Sequence, residues 1–161
     1  MAIRNIVNEK EDILHKKCRV VEKFDEKLWT LLEDMAETMY NANGVGLAGP
    51  QVGILRQVVV IDVGDGLIEL INPTIAFTSS AEVEDSEGCL SSPGEYAMVK
   101  RPKKVKVKAL NRYGEDISVV GEDLLARAIC HEVDHLKGII FKDIALYMLE
   151  PDDIEDKVRG K

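Results

Sequence analysis

The order of helical and extended patterns constrains the fold of this chain more than any single motif. Residues 25–43 have a helical pattern, with Asp25 placed to cap the helix and Gly44 to end it. Four apolar residues recur there at helical spacing: Leu28, Leu32, Met35 and Met39. Strand-like runs follow, and a second helix is predicted from Glu122, whose acidic side chain suits a helix start, to Gly138. Helices and strands do not alternate, so we predict an α+β domain with an N-terminal helix and mostly antiparallel strands around a central helix.

The middle of the chain contains the predicted strands. Arg56–Val63 is rich in β-branched residues and is predicted to be a buried strand. A turn and another strand follow in residues 65–73, and more short strands in residues 75–87. Lys103–Asn111 alternates between lysines and three residues predicted to point inward: Val105, Val107 and Ala109. A turn then leads into the stretch ISVVG, which predicts a hairpin.

Composition and length exclude several classes of protein. With 161 residues, 45% of them hydrophobic, the chain is expected to be one globular catalytic domain spanning residues 1–161. The net charge of −8 argues against general binding of nucleic acids. Three cysteines do not suggest a disulfide framework, and no signal peptide or membrane-length apolar run is found. We therefore expect a cytoplasmic protein without a membrane partner.

The stretch HEVDH carries the clearest chemical signal. His131 and His135 are four residues apart, so on a helix they project about 40° from one another and can bind one metal ion. Glu132 is rotated by about 100° from His131, too far to share its plane but close enough to reach a water molecule. Cys130 points to a different face and is predicted to be a core residue. Asp134 is expected to form an ion pair.

A hydrolytic metal site usually has three protein ligands, and the residues alone leave two sources for the third. One is a downstream glutamate, Glu150 or Glu155, although both lie in an acidic stretch interrupted by proline. The other is Cys89, beside a glycine in a stretch typical of an exposed loop or strand edge. Thiolates bind Zn²⁺ and Fe²⁺ strongly. At this point both alternatives stand.

The segment 44–53 is rich in glycine and matches the pattern G-x-G-x-x-G. A dinucleotide-binding turn needs a strand before it and a helix after it, whereas here a helix precedes and a strand follows. The glycines are better explained by a tight turn that a substrate backbone can approach closely. Gln51 adds an amide donor that could face a reacting oxygen.

Together, GVGLAGPQ, EGCLS and HEVDH, in this order, resemble the three signature motifs of the peptide deformylases. The resemblance implies a hydrolase that removes the formyl group from N-terminal formyl-methionine of newly made polypeptides and releases formate. It also implies that Cys89 binds one divalent metal ion together with His131 and His135. The native ion of this family is usually Fe²⁺, and Zn²⁺, Ni²⁺ or Co²⁺ can substitute for it.

The resemblance further implies roles for other residues. Glu132 would take a proton from the attacking water and return it to the leaving amine, while the Gln51 amide and the Leu90 backbone N–H would hold the oxyanion. Leu124, Ala128 and Val45 would line the methionine pocket. Three residues resemble positions that pair with the substrate backbone: Val45, Gly46 and Gly88.

Transient association with the ribosome is a further partner that the resemblance implies. Many relatives dock through a C-terminal helix, and the stretch after Pro151 is short by comparison. The basic strip of residues 100–108 is an alternative docking element, although its period of two is typical of the solvated face of a strand.

Two other functions remain open from the motifs alone. A downstream glutamate ligand would make the chain a small zinc endopeptidase. Alternatively, the metal could only stabilise the fold of a binding protein. Glu132 argues against the latter, because closed structural sites have four protein ligands and need no general base.

Overall fold

The computed structural model describes residues 2–152, and within this range it contains two α-helices, α1 (Glu26–Asn41) and α2 (Leu124–Leu136). Eight strands are found in the same range: β1 (Gly46–Ala48), β2 (Val58–Ile61), β3 (Ile68–Thr78), β4 (Glu82–Cys89), β5 (Ser92–Pro102), β6 (Lys104–Leu110), β7 (Asp116–Glu122) and β8 (Tyr147–Met148). Three short 3-10 helices complete it: Asp12–His15, Gly49–Val52 and Phe141–Ile144.

The strands form two antiparallel sheets. The larger sheet has the order β1-β2-β3-β6-β7, and the smaller one has the order β4-β5-β8. The helix α2 packs against strands of both sheets, while α1 packs against β1 and β2. The predicted α+β fold, with antiparallel strands around a central helix, is confirmed.

Strand β2 shows why the larger sheet needs a helix on each face. All four of its residues are fully buried. Val58 and Val60 pack with the apolar side of α1, whereas Val59 and Ile61 pack with α2. Successive side chains of a strand point to opposite faces, so an unbroken apolar run fits a strand covered on both sides. The position of α2 over the sheet follows from this packing.

The hairpin of β6 and β7 forms as predicted, with Val107 opposite Val119. The three residues of β6 expected to point inward are buried: Val105, Val107 and Ala109. The first predicted strand exists but is shorter than expected, because Val58–Ile61 rather than Arg56–Val63 forms the ladder. The short strands expected across residues 75–87 are instead the end of β3 and most of β4.

The ends of both helices differ from prediction. Helix α1 ends at Asn41, and Asn43 rather than Gly44 has the left-handed conformation, with φ of 57°. Asparagine tolerates this conformation better than most residues, so no glycine is needed there. Helix α2 starts at Leu124, because Glu122 still belongs to β7, where it pairs with Lys104 of β6.

The cap of α1 is the one that the sequence predicts. The Asp25 side chain accepts a hydrogen bond from the Leu28 backbone N–H at 3.2 Å. We expect Asp25→Ala to lower the free energy of unfolding by about 1 kcal/mol, because a backbone donor in the first turn loses its partner. Asp25→Asn, which can still cap, should stay close to the parent protein in urea unfolding. Equal losses for the two variants would contradict this role of the cap.

Candidate active site

Three side chains with metal-binding atoms converge at the surface of α2. Their donor atoms, from Cys89, His131 and His135, all lie within 4.8 Å of one another. The Cys89 Sγ atom is 3.4 Å from His135 Nε2. Cys89 ends β4, an outer strand of the smaller sheet, and both histidines are buried on α2. Among the described residues, no other group of donors meets the same condition.

The two histidines differ in their surroundings and in the direction in which their pKa values are shifted. His131 Nδ1 donates to Glu87 Oε1 at 2.7 Å, which fixes the orientation of this ring. Burial and the nearby His131 hold the pKa of His135 well below its usual value, so its imidazole is neutral. Burial opposes a charge on His131 too, but Glu132, Cys89 and Glu87 raise its pKa well above the usual value. The site therefore favours a positive charge beside its acidic groups.

Glu87 is the centre of a buried ion-pair network. Its carboxylate accepts hydrogen bonds from Arg101 Nη2 and Arg127 Nη1, both at 2.7 Å, in addition to the one from His131. Arg101 also donates to Asp134 at 2.7 Å. Burial alone would raise the pKa of Glu87, but the hydrogen bonds from His131 and Arg101 outweigh it and hold this pKa well below its usual range. Glu87 is thus a carboxylate, and it ties α2 to β4 and β5.

Glu132 lies beside the metal-binding atoms and differs from Glu87 in its environment. It is buried, and within the described structure its Oε1 atom has no hydrogen-bond partner. Burial raises the pKa of Glu132 to about 7. A carboxyl with this pKa can both take up and release a proton near neutral pH. Gly46 makes room for it, because a Cβ atom on Gly46 would lie 2.5 Å from Glu132 Oε2.

Gln51 is held in one orientation by three hydrogen bonds. It lies in the 3-10 helix after β1, where its Oε1 accepts from the Ala48 backbone N–H at 3.0 Å. Its Nε2 donates to Ser91 Oγ at 3.1 Å and to Cys89 Sγ at 3.4 Å. One N–H of this amide therefore points at the cluster of metal-binding atoms.

A cleft of about 260 Å³ opens beside this cluster. Apart from Gln51 and His135, which are buried, its lining includes every site residue that the family resemblance implied: Val45, Gly46, Gly88, Cys89, Leu90, Leu124, Ala128, His131 and Glu132. A larger cleft of about 420 Å³, between α1 and Ile54, contains none of them. The smaller cleft is therefore the candidate active site.

The remaining candidates fall outside the cluster. Glu150 is exposed and does not belong to the group of metal-binding atoms. Glu155 lies outside the described residues. Cys130 is buried in the core, as predicted, and burial raises the pKa of its thiol to about 11. The ion pair predicted for Asp134 is the one with Arg101.

Sequence reasoning missed the residues that support the cluster of donor atoms, chiefly Glu87 and Arg127, although periodicity contained a signal for each. Glu87 is two residues before Cys89 in a strand, so both side chains point to the same face. Arg127 precedes His131 by one turn of α2. Because the predicted strands ended at residue 87, the shared strand face of Glu87 and Cys89 could not be recognised from the sequence.

Two imidazoles and a thiol around one point, next to a buried carboxyl with a free oxygen, fit a divalent cation of intermediate softness such as Fe²⁺ or Zn²⁺. With a cleft leading to them, they define a metal-dependent hydrolase.

Comparison with known proteins identifies the family. The family model for polypeptide deformylase matches residues 3–147. A peptide deformylase of Acetivibrio thermocellus is 55% identical over 161 residues, which cover 100% of this chain and 94% of that protein. The crystal structure of a peptide deformylase from Legionella pneumophila has a TM-score of 0.86 and 43% identity, with 98% of this chain and 92% of that one covered. The structure from Thermotoga maritima has a TM-score of 0.88 and 40% identity, covering 90% and 99%.

The chain therefore belongs to the peptide deformylase family. It is a metal-dependent hydrolase that removes the N-formyl group from formyl-methionine at the start of newly made polypeptides and releases formate. The sequence-based prediction of family and activity is confirmed.

Replacing Glu87 tests whether its contact with His131 supports metal binding. We expect Glu87→Gln to weaken metal affinity by about 10–100-fold, because His131 loses a charged partner. It should also destabilise the fold by about 3–5 kcal/mol, because buried Arg127 loses its counter-charge and Arg101 keeps only Asp134. Metal titration and urea unfolding measure the two effects. Glu84→Gln, an exposed change in the same strand, is the control. Unchanged metal affinity in Glu87→Gln would refute this role.

Proposed function

We propose that Cys89, His131 and His135 hold one divalent metal ion, natively Fe²⁺, and that Glu132 is the general acid and base of the deformylation. Zn²⁺, Ni²⁺ and Co²⁺ would fit the same donors. The observation that supports this most strongly is the 4.8 Å cluster of donor atoms beside the unpartnered Oε1 of Glu132. When bound, the metal supplies Lewis acidity, which favours loss of a proton from water and polarises a carbonyl oxygen.

Glu132 moves the proton in this scheme. Its carboxylate takes a proton from the attacking water as the water oxygen bonds to the formyl carbon. The carbon–nitrogen bond then breaks, and Glu132 gives the proton to the leaving amine, so that formate and a free N-terminus result. A pKa of about 7 suits both transfers.

Gln51 and Leu90 hold the oxyanion that develops on the formyl group. The orientation of the Gln51 amide supports this role, since its oxygen is engaged by Ala48 and one N–H points at the donor cluster. The backbone N–H of Leu90, which follows Cys89 directly and lines the cleft, is the second donor. Donors fixed before the reaction stabilise a developing charge without reorganisation.

The substrate backbone pairs with Val45, Gly46 and Gly88 across the cleft. Strands β1 and β4 are outer strands of their sheets and both border this cleft. An extended peptide can add to such an edge through main-chain hydrogen bonds. Glycine at residue 88 also leaves space for Tyr96, because a Cβ atom there would lie 2.6 Å from the Tyr96 ring.

Val45, Leu124 and Ala128 line the pocket for the methionine side chain. Val45 and Leu124 are 43% and 51% exposed, although both are large and apolar. Covering such surface with an apolar side chain is favourable by about 25 cal/mol per Å². The specificity for methionine would come from this burial.

The enzyme works as a single catalytic domain in the cytoplasm and associates transiently with the ribosome. Packing of α2 against both sheets supports a single domain. A substrate that is still being synthesised supports the location, as do free cysteines at residues 18, 89 and 130. No helix of the described residues is long and apolar enough to cross a membrane. The basic strip of residues 100–108, the alternative docking element, includes Lys104, which already forms an ion pair with Glu122.

The source of the thiol ligand can be tested directly. We expect Cys89→Ala to weaken metal affinity by more than about 100-fold, since loss of a residue that merely orients a ligand already costs about 10–100-fold. Glu150→Ala should retain metal and activity. Metal analysis and formate release from a formyl-methionyl peptide, both on anaerobically purified protein, provide the measurements. The reverse pattern would favour an endopeptidase-like site.

The role of Glu132 can be separated from metal binding. We expect Glu132→Gln to keep its metal and to lose about 10²–10⁴-fold in kcat, because the amide cannot carry the proton. Metal content and kcat should be measured on the same sample, with Glu122→Gln as an exposed control. Wild-type turnover in the metal-loaded variant would show that the mechanism is wrong.

A further inference from the structure

The N-terminal segment, residues 2–9, is joined to the rest of the fold along its length. At its start, the backbone N–H groups of Ala2 and Arg4 donate to Asp34 Oδ1 and Thr38 Oγ1, at 2.7 and 2.8 Å. Both acceptors belong to α1. The segment is therefore anchored to α1 before it reaches the active-site motifs.

Further along, the same segment contacts the two stretches that carry the proposed oxyanion donors. The Val7 N–H donates to the Gln51 carbonyl oxygen at 2.8 Å, and the Glu9 N–H donates to the Ser91 carbonyl oxygen at 2.9 Å. Gln51 and Ser91 are 40 residues apart in sequence. The segment thus holds in register two stretches of chain that no local element connects.

Ser91 links the two donors to one another. It is buried, follows Leu90 directly, and accepts one N–H of the Gln51 amide at its Oγ atom. The other N–H is left to point at Cys89 Sγ. A displacement of Ser91 would therefore alter the direction of the Gln51 amide.

An ion pair fixes the end of the segment. Lys142 Nζ is 2.6 Å from Glu9 Oε1, and it also contacts the carboxylate of Glu95. The Lys142 and Glu9 side chains are 21% and 15% exposed, so solvent screens this pair less than an ordinary surface pair. Lys142 follows Phe141, whose ring stacks on His131 at 6.0 Å between centroids. The pair thus joins the N-terminal segment to the region beside the metal-binding helix.

We propose that Glu9 and Lys142 are positioning residues for deformylation: their ion pair, acting through Ser91, sets the direction of the Gln51 amide. Neither side chain lines the cleft. The inference rests on the proposed oxyanion role of Gln51. A misplacement of reacting groups by about 1 Å can cost about 100-fold in rate, so partial loosening of this amide is expected to cost about tenfold.

The test is a double-mutant cycle on the metal-loaded enzyme. We expect Lys142→Met to lower kcat about tenfold, with KM and metal content unchanged, and Gln51→Ala to lower it about 10²–10³-fold. In the Gln51→Ala background, Lys142→Met should cost less than about threefold, because coupled residues are not additive. Lys142→Arg should restore most of kcat. Lys10→Met, an exposed lysine next to Glu9, should leave kcat unchanged.

Each outcome bears on one of the two claims. A full tenfold effect of Lys142→Met in the Gln51→Ala background, or none in the parent, overturns the positioning role while leaving the proposed mechanism intact. If Gln51→Ala keeps full kcat, the oxyanion role of Gln51 fails and the inference fails with it. Should Lys142→Met unfold, Glu9→Gln breaks the same ion pair while keeping the backbone donor, and the same outcomes apply to it.

Discussion

Charge compensation around Glu87 is the constraint on which the active site depends. One buried carboxylate meets Arg101 from β5, and Arg127 and His131 from α2. Any of these charges left alone in the interior would be costly, so the network favours packing of β4, β5 and α2 against one another. Because Cys89 lies two residues after Glu87 on the same face of β4, this association also brings the thiol to the histidines. The ion pairs therefore build the site as well as stabilising the fold.

The parts of the fold that were predicted correctly depend on local periodicity. The alternation of β6 and the helical spacing of α1 are each produced by burial on one face, which sequence pattern records directly. Strand β5 (Ser92–Pro102) was missed because Pro93, Gly94 and Pro102 are typical of turns. It is held by pairing with β4 and β8, and pairing between distant segments leaves little trace in local pattern.

The active site divides in the same way. His131, Glu132 and His135 were predicted from their spacing on one helix, and the thiol was predicted from the resemblance to a family. The orientation of Gln51 could not have been predicted, because Ser91 and Cys89 are far from it in sequence. The pKa of about 7 for Glu132 likewise arises from burial by the whole fold. The residues that carry the proposed chemistry were predictable from the sequence. The orientation of the Gln51 amide and the pKa of Glu132 depend on the tertiary structure.

The thiol of Cys89 and the imidazole of His135 are 46 residues apart in sequence, yet 3.4 Å apart in space. A cation held between them would close a long loop, much as a disulfide does, but in a form that chelation can undo. Closing a loop of this length removes much of the conformational freedom of the unfolded chain. The ion that supplies the chemistry would thus also cross-link the fold reversibly. Its removal by a chelator would cause the loss of activity and the loss of rigidity together.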